Sequence, residues 1–249
     1  MSKTILIVTD FDSTWYNRQN YQYLIEESKG IEASLIANRC SFGATAQEVL
    51  KNLLLIKSQY KYGDYRSTSQ IIIDDIGFEA WSKIRAQTTW YKYLRPKPSI
   101  AKALKALPNE MKLVIGSNTP VELVIKGIKK ICPDYKPLPE IYDPGRLQQI
   151  KPNKNFFTEI SRLEEMPPSR CIHIGDRWSN DIQAAIEAGY LGSFITRGQL
   201  ARTIRLISKL WDKKQNLTDF KNLVHSHCYQ AMHRYLKNQP HQEHIKLKF

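Results

Sequence analysis

Short runs of contiguous apolar residues recur along the chain, and each stops at a small or polar residue. Lys3 to Thr9 carries Ile5, Leu6, Ile7 and Val8 in succession, a mostly β-branched run that predicts a buried strand. Lys112–Gly116 and Cys171–Gly175 have the same character, each closing on a glycine followed by polar residues, and Ser193–Thr196 is a weaker fourth. Helical periodicity fills the later intervals: Val121–Lys130 after the second strand, Asn155–Glu165 before the third, Ile182–Ala188 after it. Strands alternating with helices predict an α/β fold, a Rossmann-like parallel sheet covered on both faces. Ligands of such sheets bind at the carboxyl ends of the strands, so the polar residues after each run are where chemistry is expected.

Residues 15–95 break that rhythm. Thr45-Ala46-Gln47-Glu48 forms a capping box ahead of Val49, Leu53 and Ile56 on one helical face. Gly77 interrupts the apolar stretch Ile71–Ile76, after which Phe78, Trp81 and Ile84 resume helical spacing. The two prolines of Tyr93-Leu94-Arg95-Pro96-Lys97-Pro98 exclude a continuing helix and predict an extended linker. Further on, Leu200, Ile204, Ile207 and Trp211 mark one amphipathic helix. Phe220, Val224, Cys228, Ala231 and Tyr235 mark a second, with a polar, frayed end from Gln239. The expected organisation is a core of residues 1–14 and 96–198, an inserted all-helical cap of residues 15–95, and a basic C-terminal helical extension of residues 199–249.

At 249 residues the chain can form one large domain or two modest ones without disulfide or metal staples. Its 42% hydrophobic and 24% charged residues argue against disordered and fibrous classes. No apolar run approaches the ~18 residues that span a bilayer. The first run meets Asp10 and Asp12 too soon for a signal peptide. Cys40, Cys132, Cys171 and Cys228 lack CxxC spacing and read as reduced thiols, so a soluble cytoplasmic protein without membrane insertion is expected. The net charge is +13, and residues 199–249 supply +7 of it (ten Lys and Arg against three Asp and Glu) with five of the six histidines. A basic balance speeds encounter with anionic partners, and it is equally the mark of a solvated face.

Four features fall where strands end. Asp10 and Asp12 of Asp10-Phe11-Asp12-Ser13-Thr14 project to one side of an extended segment, with Phe11 on the other. Two carboxylates so close repel unless a cation or a shared proton intervenes, and hard oxygen ligands suit Mg²⁺. In Ser117-Asn118-Thr119-Pro120 the proline fits a first helical position, which puts Ser117 and free backbone N–H groups at a helix N-terminus, a natural phosphate site. Lys151-Pro152 stands just ahead of a helix, and Gly175-Asp176-Arg177-Trp178-Ser179-Asn180-Asp181 is a second acidic cluster leaving a strand. Singly, each has a plain structural alternative: a turn or cap for the carboxylates and Ser117, a surface charge for Lys151. Their order along the chain is what carries specificity.

In that order the chain resembles the haloacid dehalogenase superfamily, from Lys3 to about Arg197, with a helical cap of the C1 type after the first strand. DFDST, GSN, Lys151-Pro152 and GDRWSND stand as its four motifs. The resemblance implies that Asp10 is a nucleophile forming an aspartyl-phosphate and that Asp12 is the general acid and then base. It implies that Ser117 and Lys151 hold the transferring phosphoryl group. It also implies Mg²⁺ bound by Asp10, Asp176 and the backbone carbonyl of Asp12, with Asp181 behind them or as a further ligand. Ser13 stands where the family often has Gly or Asn. Members resembling the dehalogenase branch usually lack the second acid, so Asp12 favours phosphate transfer.

The expectation is therefore a Mg²⁺-dependent phosphomonoesterase for a small phosphorylated metabolite, with substrate contacts from Ser117, Asn118, Lys151 and Tyr16. Trp15, Tyr16, Asn17, Gln19, Asn20, Tyr21 and Tyr23 suit stacking on a base and reading its edge, and equally suit packing within the cap. The passage Tyr93–Pro98 loosely resembles pyrimidine 5′-nucleotidase-like members, which tilts the choice toward a nucleoside monophosphate. Two alternatives stand beside this. One is a phosphatase of nucleic-acid ends, less favoured because the basic tail lacks interleaved aromatics. The other is a catalytically weak binding module that docks through that tail.

Overall fold

The computed structural model describes residues 4–17, 30, 33–37, 45–49, 51–52, 72–73, 76–214 and 216–237. Strands β1 (Ile5–Thr9), β2 (Met111–Gly116), β3 (Glu140–Tyr142), β4 (Cys171–Gly175) and β5 (Gly192–Ile195) form one sheet in the order β3-β2-β1-β4-β5. All four pairings are parallel. The most uniformly apolar run takes the centre, because a central strand is covered on both faces; Ile5, Leu6, Ile7 and Val8 are fully buried. Thr9 lies opposite Ile115 of β2 and Ile174 of β4, so these three strands end level with one another. The chain runs outward from β1 through β2 to β3 and then crosses back to β4 on the other side of β1, and such a switch point opens a crevice at the carboxyl edge.

Two helical layers flank the sheet. Helices α1 (Phe78–Arg85), α2 (Pro98–Lys105), α3 (Val121–Ile131), α4 (Pro144–Leu147), α5 (Lys154–Leu163), α6 (Ala184–Glu187), α7 (Leu200–Asp212) and α8 (Leu217–Lys237) follow in chain order. The Ile5 and Ile7 face packs against Ile100 and Leu104 of α2, Val124 and Ile128 of α3, and Leu200, Ile204, Ile207 and Trp211 of α7. The Leu6 and Val8 face packs against Phe156, Phe157 and Ile160 of α5 and Ala184 and Ala185 of α6. The fold is thus the α/β arrangement that the alternating pattern predicts.

Several details differ from the sequence reading. Helix α2 starts at Pro98, where the missing N–H costs nothing, so the linker ends one residue earlier than the second proline suggests. Strand β3 is only Glu140-Ile141-Tyr142, too short to show a period. Pro120 is the extended residue before α3 rather than its first helical residue. The helix expected over Ile182–Ala188 is preceded and entered by a π-helical turn, Trp178–Gln183, and its α-helical part is only Ala184–Glu187. Helices α7 and α8 are not appended to the core: Leu200, Ile204, Phe220 and Val224 belong to the same buried cluster as Ile5 and Ile7.

Of the segment from 15 to 95, Trp15, Tyr16, Trp90 and Leu94 join that main cluster, whereas Ile36, Ile72, Trp81 and Ile84 form a separate one. The capping box closes as expected, with Thr45 N–H donating to Glu48 Oε2 at 2.7 Å and Glu48 N–H donating to Thr45 Oγ1 at 3.2 Å. Gln19, Asn20, Tyr21, Tyr23, Cys40, Leu53, Ile56 and the stretch from Gln239 lie outside the described residues. Cys132, Cys171 and Cys228 are free. No helix among the described residues is long and apolar enough to cross a membrane.

Candidate active site

The crevice at the carboxyl edge gathers the chemistry-bearing residues of all four motifs. Asp10 leaves β1 with its N–H bonded to the Ile174 carbonyl at 2.8 Å, which carries the ladder one residue past the strand. Its buried carboxylate accepts from Lys151 Nζ at 2.7 Å, and Lys151 Nζ bonds Asp181 Oδ1 at the same distance. Lys151 is 3% exposed and Asp181 1%, so this chain of charges is sealed from bulk water. His173, from β4, stands behind it with Nε2 at 3.4 Å from Asp181 Oδ1. The backbone N–H of Arg177 donates to the second Asp181 oxygen at 3.1 Å.

Local sequence explains how these groups meet. The π-helical turn after Arg177 folds Asp181 back beneath the end of β4, and single π turns of this kind recur at functional sites. Glycine at 175 makes room for it, since a Cβ there would sit 2.4 Å from the Asp181 Cβ. Lys151 is held by Asn118, whose side chain donates to the Lys151 carbonyl at 3.1 Å and accepts its N–H at 3.0 Å. Asn118, expected to meet substrate, therefore clamps the loop that carries the lysine. Ser117 is 1% exposed, and its hydroxyl accepts the Thr119 N–H at 3.2 Å.

Asp12 has a different setting. Tyr16 donates to its Oδ1 at 2.6 Å, and the Thr119 hydroxyl donates to its Oδ2. The Tyr16 ring is buried against Phe11 and Trp90, which leaves its hydroxyl on Asp12 as the polar contact toward the crevice. Thr119 is a contact that the sequence reading missed; a hydroxyl two residues past Ser117 was the available signal. Asp143 was missed too, although Asp ahead of Pro144 is a helix-start signature. It accepts N–H groups from both Val121 and Arg146, and so fixes the entry to α3 beside the crevice.

The turn after Asp12 is strained. Ser13 has φ 62°, the left-handed region, at a cost of roughly 1–2 kcal/mol for a non-glycine residue. That requirement is the physical reason a Gly or Asn suits the position. The Ser13 carbonyl accepts the N–H of Gly198 at 2.7 Å, and Lys97 Nζ donates to the Gly198 carbonyl at 3.3 Å. A Cβ on Gly198 would lie 2.4 Å from the Asn17 backbone nitrogen, so only glycine lets the loop after β5 press against the loop after β1.

Electrostatics follow burial. Burial pushes the Asp10 carboxyl well up, against the opposing pull of Lys151. Burial also raises Asp176, to about 6, and the nearby Asp181 charge adds to it. Burial works against Asp181 as well, yet Lys151 and His173 hold its pKa well below the usual carboxylate range. Lys151 stays charged: burial lowers its pKa, and Asp10 and Asp181 more than restore it. Burial lowers His173. One lysine thus faces three carboxylates, and the oxygens of Asp10, Asp176 and Asp181 come within 4.8 Å of one another. Hard oxygen donors carrying excess negative charge fit a small divalent cation.

Raised Asp176 sets a measurable sign. A carboxyl whose folded pKa is about 6, against ~3.9 when unfolded, binds its proton more tightly in the folded state. Its cost to folding is absent below about pH 4, grows as pH rises, and is complete above about pH 6, amounting to about 3 kcal/mol. Urea melts in chelator should therefore show Asp176→Asn to be more stable than the parent at pH 7, and equally stable at pH 4. A variant less stable at pH 7 would show that the carboxylate is compensated without metal.

The sequence model of the haloacid dehalogenase-like hydrolases matches residues 6–189, more than half of the chain. Among curated proteins, the glyceraldehyde 3-phosphate phosphatase of Methanopyrus kandleri is 29% identical over 113 residues, which are 45% of this chain and 48% of that one. The chain thus spans about half the length of this relative. Among solved structures, a haloacid dehalogenase-like hydrolase of Xanthomonas campestris has a TM-score of 0.47 at 13% identity, covering 86% of this chain and 96% of its own. An L-2-haloacid dehalogenase has a TM-score of 0.46 at 16% identity, covering 81% of this chain and 87% of its own. The matched span begins inside β1 and ends after α6, so it takes in Asp10, Asp12, Ser117, Lys151, Asp176 and Asp181 together, and the chain belongs to the haloacid dehalogenase-like hydrolases.

Proposed function

We propose that the chain is a Mg²⁺-dependent phosphomonoesterase working through an aspartyl-phosphate on Asp10. The observation that carries this reading is the second carboxylate: Asp12 stands beside the buried Asp10–Lys151 pair, gripped by two hydroxyls. Displacing halide from carbon requires no proton for the leaving group, whereas cleaving a phosphate ester requires one for the departing oxygen.

In the first step an Asp10 oxygen bonds to phosphorus as the ester oxygen leaves with its electron pair and takes the proton of Asp12. A water molecule then attacks phosphorus, Asp12 takes its proton, and the Asp10–phosphorus bond breaks to release phosphate. Each carboxylate ends as it began. Tyr16 and Thr119 hold Asp12 in place through both protonation states, because a hydroxyl can donate or accept. Lys151 and Ser117 face the transferring group and stabilise its charge, with Lys151 kept cationic by Asp10 and Asp181. Asp10 and Asp176 would hold the cation, which would screen the charge gathered at phosphorus. Asp181 is occupied by Lys151, His173 and the Arg177 N–H and serves as their anchor.

The substrate is a small phosphorylated metabolite. The phosphatase relative supports that class; Trp15 and Tyr16 are spent in the core, so the choice of a nucleoside monophosphate rests on the likeness of Tyr93–Pro98 to pyrimidine 5′-nucleotidase-like members. The test is phosphate release from nucleoside monophosphates, sugar phosphates, glyceraldehyde 3-phosphate, phosphoglycolate and a 3′-phosphorylated oligonucleotide, run beside halide release from 2-haloacids. Phosphate release that needs Mg²⁺, with no halide release, is expected. Halide release without phosphate release would overturn the reading.

A further inference from the structure

The two helical layers differ sharply in charge. In the layer over Leu6 and Val8, α5 and α6 carry Lys154 and Arg162 against Glu159 and Glu187, and Arg162 bonds Glu159 at 2.6 Å. Those two helices are neutral together and have both signs mixed, as a merely solvated surface does. In the opposite layer α2 carries Lys102 and Lys105, and α3 carries Lys126, Lys129 and Lys130. Helix α7 adds Arg202, Arg205 and Lys209. The acids of these three helices are Glu122 and Asp212, so eight cations face two anions. All ten are exposed, and among the described residues none of the eight cations is ion-paired.

These cations share a side because their helices bury the opposite one. Ile100 and Leu104, Val124 and Ile128, and Ile204 and Ile207 all enter the cluster against Ile5 and Ile7, so the remaining faces look away from the sheet. We propose that this outer face is a docking surface for the phosphate backbone of a nucleic-acid duplex, independent of the chemistry at Asp10. Charge complementarity is the first argument. Arg202, Arg205 and Lys209 span about 10 Å of helix, a length over which a duplex presents about six negative charges.

The lack of exposed large apolar groups on this face discriminates between polyanions. Among the described residues the exposed large hydrophobics are Tyr93, Leu163 and Tyr229, none of them on α2, α3 or α7. None of these three helices therefore offers an exposed ring on which an unpaired base could stack. A bilayer finds no exposed large apolar side chain on these helices to take up, since their apolar faces are turned to the core. What is left is contact with a rigid array of phosphates, blind to base sequence.

The test is binding of a short mixed-sequence DNA duplex to the full chain across a salt series. With five cations engaged, log affinity should fall against log salt with a slope of about −4.5, a loss of about 500-fold between 50 and 200 mM. Lys105→Glu with Arg205→Glu should reduce that slope by about 2. The same change of charge on α5, Lys154→Glu with Arg162→Glu, should leave it unaltered. Thermal melts verify folding, and Lys105→Gln with Arg205→Gln replaces the first pair should it fail to fold. Equal losses from the two pairs would show net charge alone at work and overturn the proposal. Tighter binding to phosphatidylserine vesicles than to the duplex would overturn it in favour of a membrane surface. Phosphatase activity on a small ester is expected to be the same in both pairs, so this result and that of the proposed reaction fail separately.

Discussion

Asp10→Asn is expected to lower turnover of the best phosphomonoester by about 10⁴-fold or more, without loss of folding. The amide keeps the shape of the side chain but offers no anionic oxygen to phosphorus. Folding should survive because the carboxylate is itself costly where it stands: burial holds its pKa well up, so the folded state resists its ionised form. Lys151 retains Asp181 as its counter-ion at 2.7 Å in the variant. Initial rates with Mg²⁺ measure the loss, and acid quench of the parent during turnover should trap phosphate on the protein. Near-parental rates in Asp10→Asn would remove Asp10 from the chemistry and return the site to a binding role.

Lys151→Met is expected to cost about 3–5 kcal/mol of stability, the largest effect on folding that the site predicts. Among the described residues the lysine is the one cation bonded to both Asp10 and Asp181, and its removal leaves two buried carboxylates facing each other. The sign of the pH effect follows from Asp181. Its folded pKa is depressed, so its contribution is present above the unfolded value of ~3.9 and is lost as pH falls through the lower, folded one. In Lys151→Met that protection goes, and the parent's advantage should be full at pH 7 and shrink toward acid. Adding Asp181→Asn to Lys151→Met should recover part of the loss, because contacting residues are not additive. Urea denaturation across pH measures all three chains. A cost below about 1 kcal/mol would mean that water, rather than Lys151, compensates the acids.

The two predictions draw on the same arrangement from opposite sides. A site that must concentrate negative charge for phosphate chemistry folds against that charge, and one lysine offsets only part of it. Asp176 shows the remainder, with its pKa raised to about 6. Stability and reactivity are therefore in tension here, as at many functional sites.

Local pattern was enough to locate β1, β2, β4 and β5, because buried parallel strands read as contiguous apolar runs and end at polar residues. It was enough to place Asp10, Ser117, Lys151, Asp176 and Asp181 at element ends, and hence to predict one crevice. It was enough for α3, α5 and α7, whose apolar stripes have the helical period. Side-chain partners were not legible, since a hydrogen bond depends on ångström-scale placement that no period encodes. Tyr16 read as an aromatic near a ligand, and its hydroxyl lies on Asp12. Asn118 read as a substrate contact, and its amide holds the Lys151 backbone.

The sequence by itself determined the α/β alternation, the order of the four motifs, and a net charge of +13. Only the tertiary structure decided where that charge is displayed. Along the chain the excess basicity belongs to residues 199–249, while Lys102, Lys105, Lys129 and Lys130 look like scattered surface lysines. Folding lays α7 beside α2 on the face that also carries α3, and their cations become one surface. Hydrophobic burial chooses which side of each helix turns inward, so the charged sides gather by exclusion rather than by any attraction among themselves. The same holds in the crevice. Lys151 and Asp10 are 141 positions apart, and they meet at 2.7 Å because β1 and β2 end level with one another and Asn118, just past β2, holds the loop that carries Lys151.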